Sequence, residues 1–184
     1  MQTKIPQIIQ AKLDELLERV SRPFVVAVDG PCGSGKSTLA NIIVEQYACG
    51  VVRMDDFFLP IDERKEGEHM DFARFRDEVG AVLSGANGSY RAYLCKTREY
   101  TTVEVSALPF LLVEGSYSLH PEVGFEYDLR IFVQVEREVQ LQRLLAREGE
   151  EGLQRFCSMW MPREDAYFEK YALPNAGCVV VEMK

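Results

Sequence analysis

Histidine is nearly missing from this chain, which has 2 among 184 residues, and tryptophan occurs once. The five cysteines, Cys32, Cys49, Cys95, Cys157 and Cys178, form no C-x-x-C pair and lie near no histidine cluster. Zinc-ligand spacing is therefore lacking, and scattered thiols in odd number fit a reduced cytoplasmic compartment better than a disulfide framework. Basic charge is also short, with 21 Lys and Arg against 29 Asp and Glu and a net charge of −8. A broad nucleic-acid surface needs a basic face to neutralise phosphates, so any anion site here must be local. No uninterrupted apolar run reaches membrane-spanning length, and MQTKIPQIIQAKLDELLERV lacks the apolar core and small-residue cleavage site of a signal peptide. Repeats, low-complexity tracts and long linkers are missing too. The sequence predicts a soluble cytoplasmic protein over 1–184, one domain with a core drawn from its 47% hydrophobic residues, and no membrane or nucleic-acid partner.

What is present alternates. Ile5, Ile8, Ile9, Leu13, Leu16, Leu17 and Val20 keep helical spacing, predicting an amphipathic helix over 6–20 within an N-terminal segment 1–22. PFVVAV (23–28), GVVRM (50–54), LPFLLVEG (108–115), YDLRIFVQV (127–135) and CVVVE (178–182) are short apolar runs, separated by helical patterns at 36–47, 71–84, 136–148 and 152–170. Apolar strands alternating with helices predict an α/β fold with a five-stranded parallel sheet buried on both faces. Within 84–107, Asn87-Gly88 predicts a turn and TTVEV an antiparallel hairpin inserted before the third core strand. The polar, aperiodic stretch 59–70 predicts a mobile loop.

Between the first strand and the first core helix stands GPCGSGKST, in which Gly30, Gly35, Lys36 and Ser37 satisfy G-x-x-x-x-G-K-[ST]. Glycines let backbone N–H groups turn inward as an anion nest at the positive end of a helix. Gly30, Cys32, Gly33, Ser34, Gly35, Lys36, Ser37 and Thr38 are thus the candidate nucleotide-binding residues. Lys36 reaches the terminal phosphates as a point charge, and Ser37 ligates the Mg²⁺ that bridges them. No N/T-K-x-D guanine motif is present, and the D-x-x-G match at 77–80 falls inside a helical pattern, which argues against a GTPase.

Acidic residues stand at two strand ends. Asp55 and Asp56 follow the second strand, where ligands of doubly wound sheets gather, and one of them is placed to accept a hydroxyl proton while the other meets Mg²⁺ or solvent. Glu114 ends the third core strand, suited to hold Mg²⁺ through water. Arg143 and Arg147, at i and i+4, share one helix face leading into a polar segment over 143–158, suited to clamp phosphates on closure.

GPCGSGKSTLA, MDDFF, MDFARFRDEV, LLVEGSYSLHP, YDLRIFV, RLLARE and MWMPREDAYFEKY, in this order over residues 23–182, resemble the uridine kinase and phosphoribulokinase-like family of P-loop kinases. The resemblance implies a three-layer P-loop fold and ATP- and Mg²⁺-dependent phosphorylation of a hydroxyl on a small molecule, a nucleoside such as uridine or cytidine being the best-known acceptor. It implies Asp55 as general base and metal neighbour, Glu114 at the metal, and Arg143 and Arg147 as lid arginines. It implies Asp71, with Phe75 following, on the sugar hydroxyls, Phe58 in the acceptor wall, and Tyr93 and Arg98 at the base. Three departures stand out: Leu94 replaces a hairpin acid, Glu148 replaces the lid aspartate, and Gln140 stands where a third lid arginine is expected. A non-nucleoside alcohol (sugar, sugar phosphate or vitamin precursor) therefore stays open as acceptor, as do a regulatory nucleotide-binding protein without transfer activity, the choice between ATP and GTP, and a homo-oligomeric state. His69 is expected to face solvent, and Trp160, with Met159, Met161, Tyr167 and Phe168, to pack as core against the sheet.

Overall fold

The computed structural model describes residues 4–65, 68–85 and 87–183, with residues 84 and 85 described by their backbone only. Five apolar runs pair into one parallel sheet. The strands are β1 (Phe24–Asp29), β2 (Gly50–Arg53), β5 (Phe110–Glu114), β6 (Leu129–Gln134) and β7 (Cys178–Glu182), in the spatial order β2-β5-β1-β6-β7. Every residue of the central β1 is buried, because helices cover both faces and water reaches neither.

The period of two along β1 divides the interior into two cores. Phe24, Val26 and Val28 meet Ile9 and Leu13 of helix α1 (Gln7–Arg19) and Leu39 and Ile43 of helix α2 (Lys36–Tyr47). Val25 points the other way, joining Leu111, Val113, Phe75 and Val79 beside helix α3 (Phe72–Gly85). The result is the three-layer α/β sandwich that the alternating pattern predicted.

A separate two-stranded hairpin, β3 (Asn87–Leu94) and β4 (Glu99–Ser106), packs beside β2. The turn expected at Asn87-Gly88 is not there. Those residues open β3 opposite Ser106 and Val105, and the reversal falls at 95–98, where Arg98 adopts φ 62. The alternating tyrosines and alanine of NGSYRAYL extend the strand over the Asn-Gly signal, since Tyr90, Ala92 and Tyr93 gain burial by it.

The C-terminal helices also differ from expectation. Helix α4 (Arg137–Arg155) runs through the predicted break at 149–151 with only a kink at Gly149, whose φ of 72 and ψ of −177 suit glycine. A π-helical turn, Phe156–Trp160, joins it to helix α5 (Met161–Lys170). Of the stretch 59–70, residues 66 and 67 lie outside the described residues. The rest folds back through antiparallel bridges, Phe58 to Met70 and Lys65 to Glu68. Among the described residues no helix is long and apolar enough to cross a membrane.

Phe110 is fully buried at the centre of this packing, stacked on Phe24 at 4.8 Å and edge-on to Tyr47 at 5.8 Å. Phe110→Ala should lower unfolding free energy by about 3–5 kcal/mol, through lost transfer energy plus a cavity that the sheet cannot collapse to fill. Chemical denaturation checks this; a loss under about 1 kcal/mol would mean that the site relaxes freely.

Candidate functional site

The site begins where β1 ends. Asp29 is fully buried and accepts hydrogen bonds from Gly30 N (2.6 Å), Leu119 N (2.9 Å) and Tyr167 OH (2.7 Å). Burial outweighs these bonds and pushes its carboxyl up to about 6. The chain then turns through Gly30 (φ 142), Gly33 (φ 74) and Gly35 (φ 101). A Cβ on Gly30 would stand 2.2 Å from the Val133 carbonyl oxygen, so glycine is required there on space as well as φ. No side chain caps α2 at Gly35, which leaves its first N–H groups turned toward the loop's interior as an anion nest. Lys36 is buried along this loop, its Nζ donating to Gly30 O (2.7 Å) and Pro31 O (2.9 Å).

Next to the nest, Ser37 Oγ donates to Glu114 Oε1 at 2.9 Å. Arg53, at the end of β2, donates to the other oxygen, Oε2, at 2.9 Å. The acidic pair after β2 is divided by a 3₁₀ turn over Met54–Phe57. Asp55 lines the cavity and keeps contact with solvent. The surrounding protein lessens its hydration, Glu114 adds negative charge, and together they raise its carboxyl above the ordinary aspartate range. Asp56 turns away and accepts the Tyr90 hydroxyl at 2.7 Å. Ser37, Glu114 and Asp55 form an oxygen-only donor set that suits a hard cation such as Mg²⁺, which takes one or two carboxylates along with phosphate oxygens. No group of three or more His, Cys, Asp or Glu among the described residues is arranged as a metal cage.

The two arginines expected in a lid are placed differently. Arg143 donates through Nη1 to Ser34 O (3.1 Å) and Gly33 O (3.3 Å), and through Nη2 to Met183 O, so it is laid against the loop. Arg147 is more exposed, paired with Glu148 Oε1 at 2.6 Å and lying over the Phe156 ring. Gln140, where an arginine was expected, is buried and braces the loop by donating to Cys32 O at 2.7 Å.

One cavity of about 690 Å³ gathers most of the expected residues: Cys32, Gly33, Gly35, Lys36, Ser37, Thr38, Asp55, Phe58, Glu114, Arg143 and Arg147 all line it. Gly30 and Ser34 shape the loop from behind. Asp71, Tyr93 and Arg98 are not among the lining residues. Asp71 caps α3, accepting from Arg74 N (3.0 Å) and Arg74 Nε (3.2 Å). Tyr93 is buried against Tyr100 in the hairpin, and Arg98 is exposed at its turn.

Two expectations are corrected here. His69 is buried, held beneath Phe58, Tyr117 and Trp160, because the 59–70 segment folds back and Leu59 N donates to His69 O. Trp160 does not pack on the sheet. The π-helical turn shifts the helical phase, so Met161 and Tyr167 are buried, Met159 is exposed, and Trp160 enters the cavity wall beside Phe58.

Sequence reasoning missed Ser116, Tyr117 and Glu164, which also line the cavity. Glu164 was detectable in principle, as it shares the buried face of α5 with Met161 and Tyr167, where a lone acid is out of keeping with its neighbours. It accepts from Cys32 N (2.8 Å) and Ser116 Oγ (2.5 Å), tying α5 to the loop and to the segment after β5.

The architecture is the three-layer P-loop fold shared by structures of P-loop kinases. No protein-family model matches the chain. Its curated relatives include the uridine kinase of Deinococcus deserti, 26% identical over 146 residues that make up 71% of this chain and 70% of the relative. Another is the uridine kinase of Ureaplasma parvum, 21% identical over 173 residues, 83% of this chain and 84% of the relative. A structure described as a possible uridine kinase from Bacillus stearothermophilus superposes with a TM-score of 0.67 over 96% of this chain and all of that one, at 18% identity. A D-glycerate 3-kinase from Cryptococcus neoformans reaches a TM-score of 0.64 over 95% of this chain and 94% of its own, at 15% identity, a likeness of fold alone. The resemblance to the uridine kinase-like P-loop kinases read from the motifs is thereby found across most of the chain, and these relatives support a small-molecule kinase.

Burial gives the cysteines distinct reactivities. Burial pushes the Cys32 and Cys49 thiols up to about 12, while Cys95 and Cys157 are exposed. Iodoacetamide at pH 8 should alkylate Cys95 and Cys157 at least about 100-fold faster than Cys32 and Cys49, because the thiolate is the reacting species. Mass spectrometry of a labelling time course checks the order.

Proposed function

We propose that this protein transfers the γ-phosphoryl group of ATP, held with Mg²⁺ on the 30–38 loop, to a hydroxyl of a small acceptor, nucleosides such as uridine or cytidine being the first to test. The observation that carries this reading is the convergence of the phosphate nest, Lys36, the Ser37–Glu114 pair and Asp55 on one cavity. Asp55 would accept the acceptor's hydroxyl proton as the new bond forms. Lys36 would leave its loop carbonyls for the phosphate oxygens, and Arg143 and Arg147 would stabilise charge spread over the moving group. Magnesium, when bound to Ser37 and Glu114 with the phosphates, would supply charge neutralisation. The kink at Gly149 and the π-helical turn give the segment 143–158 a place to bend, and its closure would keep water from taking the phosphoryl group.

A second reading keeps the chemistry and changes the acceptor to a non-nucleoside alcohol. What favours it is that Asp71, Tyr93 and Arg98, the expected nucleoside contacts, lie off the cavity wall. A purely regulatory nucleotide binder fits less well, since the cavity keeps Lys36, Asp55 and Glu114 together. The reading also carries one kinase domain in a cytoplasmic setting, with all five cysteines free.

Lys36→Ala should lower kcat by about 10²–10³, the scale of losing one preorganised charge at the transition state. Asp55→Asn should leave ATP affinity within about twofold and lose about 10²–10⁴ in transfer. Coupled ADP-release assays with each variant check both, and full activity in Asp55→Asn would remove it as the base. In the metal-free protein the raised Asp55 carboxyl should titrate at a higher pH than the ordinary aspartate value of about 4, which carboxyl NMR against Asp55→Asn checks. A titration at or below that value would contradict the surroundings read for Asp55.

A further inference from the structure

The cavity has two halves of different chemistry. One is the loop with Arg143, Arg147 and Met183; it holds every cation that lines the cavity among the described residues. The other, beyond Asp55, is walled by Phe58, Tyr117 and Trp160, three rings held together through His69 at centroid distances of 5.9, 4.7 and 5.7 Å. Its charged groups are carboxylates, Asp55 and Glu164. Arg64 and Arg163 pack on Phe58 and Trp160 but do not line the cavity.

Two features at Tyr117 point to a ligand here. Its backbone sits at φ 74, a strained conformation for a bulky side chain and one that gathers at binding sites. Its hydroxyl is buried with no hydrogen-bond partner, in a residue 6% exposed that borders the cavity. A buried polar group left over in this way is normally completed by water or a ligand. Burial first, and the charge of Glu164 after it, hold the Tyr117 hydroxyl in its neutral form, and each Glu164 oxygen has a lone pair beyond the bonds from Cys32 N and Ser116 Oγ.

Resting on the kinase reading above, we propose that this half is the acceptor subsite and that it selects by charge, taking an uncharged or cationic alcohol with a flat or apolar face and rejecting an anionic one. The rings supply the flat contact and would favour a cation over their faces. Glu164 would bond the acceptor's polar edge, and the Tyr117 hydroxyl, covered in this structure, would join it after a shift of the ring. An acceptor carrying a phosphate or carboxylate would bring its charge against Asp55 and Glu164, while Lys36, whose charge reaches Asp55, is bonded to the carbonyls of Gly30 and Pro31. The selecting residues lie after β2, after β5 and around the start of α5, not on the hairpin.

The test is calorimetric binding to the full chain, preloaded with a non-hydrolysable ATP analogue and Mg²⁺, of paired probes: uridine and UMP, ribose and ribose 5-phosphate, glycerol and glycerate. Transfer to each probe from ATP is measured separately. The expected result is at least a 10-fold preference for the uncharged member of whichever pair binds. In Glu164→Gln that preference should shrink several-fold, and in Tyr117→Phe acceptor affinity should fall several-fold with analogue affinity unchanged. Tighter binding of the anionic members, held by Arg64 or Arg163, or no binding of any uncharged member, would overturn the proposal; the wild-type panel decides this even where a variant folds poorly. Binding of uncharged members with the expected preference but without transfer would leave the subsite standing and remove the kinase reading. Transfer to an anionic member would do the reverse.

Discussion

A single buried carboxylate joins the segments from which the cavity is made. Asp29 takes a hydrogen bond from the start of the glycine loop, one from the segment after β5 and one from Tyr167 on α5. These three stretches are distant in sequence, and each carries part of the site: the nest, Ser116 with Tyr117, and Glu164. Burial raises the group while its partners resist that rise, so the junction is costly in isolation and is held by the packing around it. Glu164 repeats the device one layer outward, spanning Cys32 N and Ser116 Oγ. Loop and α5 are in this way fixed to each other twice, by two acids.

This double junction explains why the site is part legible and part hidden in the sequence. The sheet could be read directly, because strands buried on both faces must be apolar throughout and PFVVAV or LPFLLVEG have no other use. The nest could be read because only glycine tolerates the backbone at Gly30 and Gly35, which leaves a fixed spacing. Asp55, Glu114 and Arg143 followed from strand ends and helix faces, places that topology alone brings together. Trp160 and His69 were misjudged for one shared reason: each depends on how an irregular segment folds. A π-helical turn has no sequence period of its own, and the fold-back of 59–70 is fixed by bridges between residues whose pairing no local pattern announces. Asn87-Gly88 was misjudged because a strand's burial overrode a turn preference.

The two halves of the cavity are built differently. The loop half rests on backbone geometry and a handful of side chains, and relatives named uridine kinase align with 70–83% of the chain at 21–27% identity. The ring-walled half rests on side chains set by α5, by the segment after β5 and by the fold-back before α3. On the proposed reading, such a division would let a common loop serve acceptors of different shape, as functions are grafted onto a shared fold through its variable segments.

Met183 closes the nest from the side of β7: a Cβ on Gly35 would meet its side chain at 2.8 Å, and Arg143 bonds its carbonyl. Because β7 is the outermost strand, paired only with β6 in the sheet, the cradle is whole only while that edge is docked. Any ligand of the loop is then linked thermodynamically to the zipping of the sheet's edge. Hydrogen exchange in β7 would slow on saturation of a site to which the residue just past the strand contributes a single side chain and a single carbonyl.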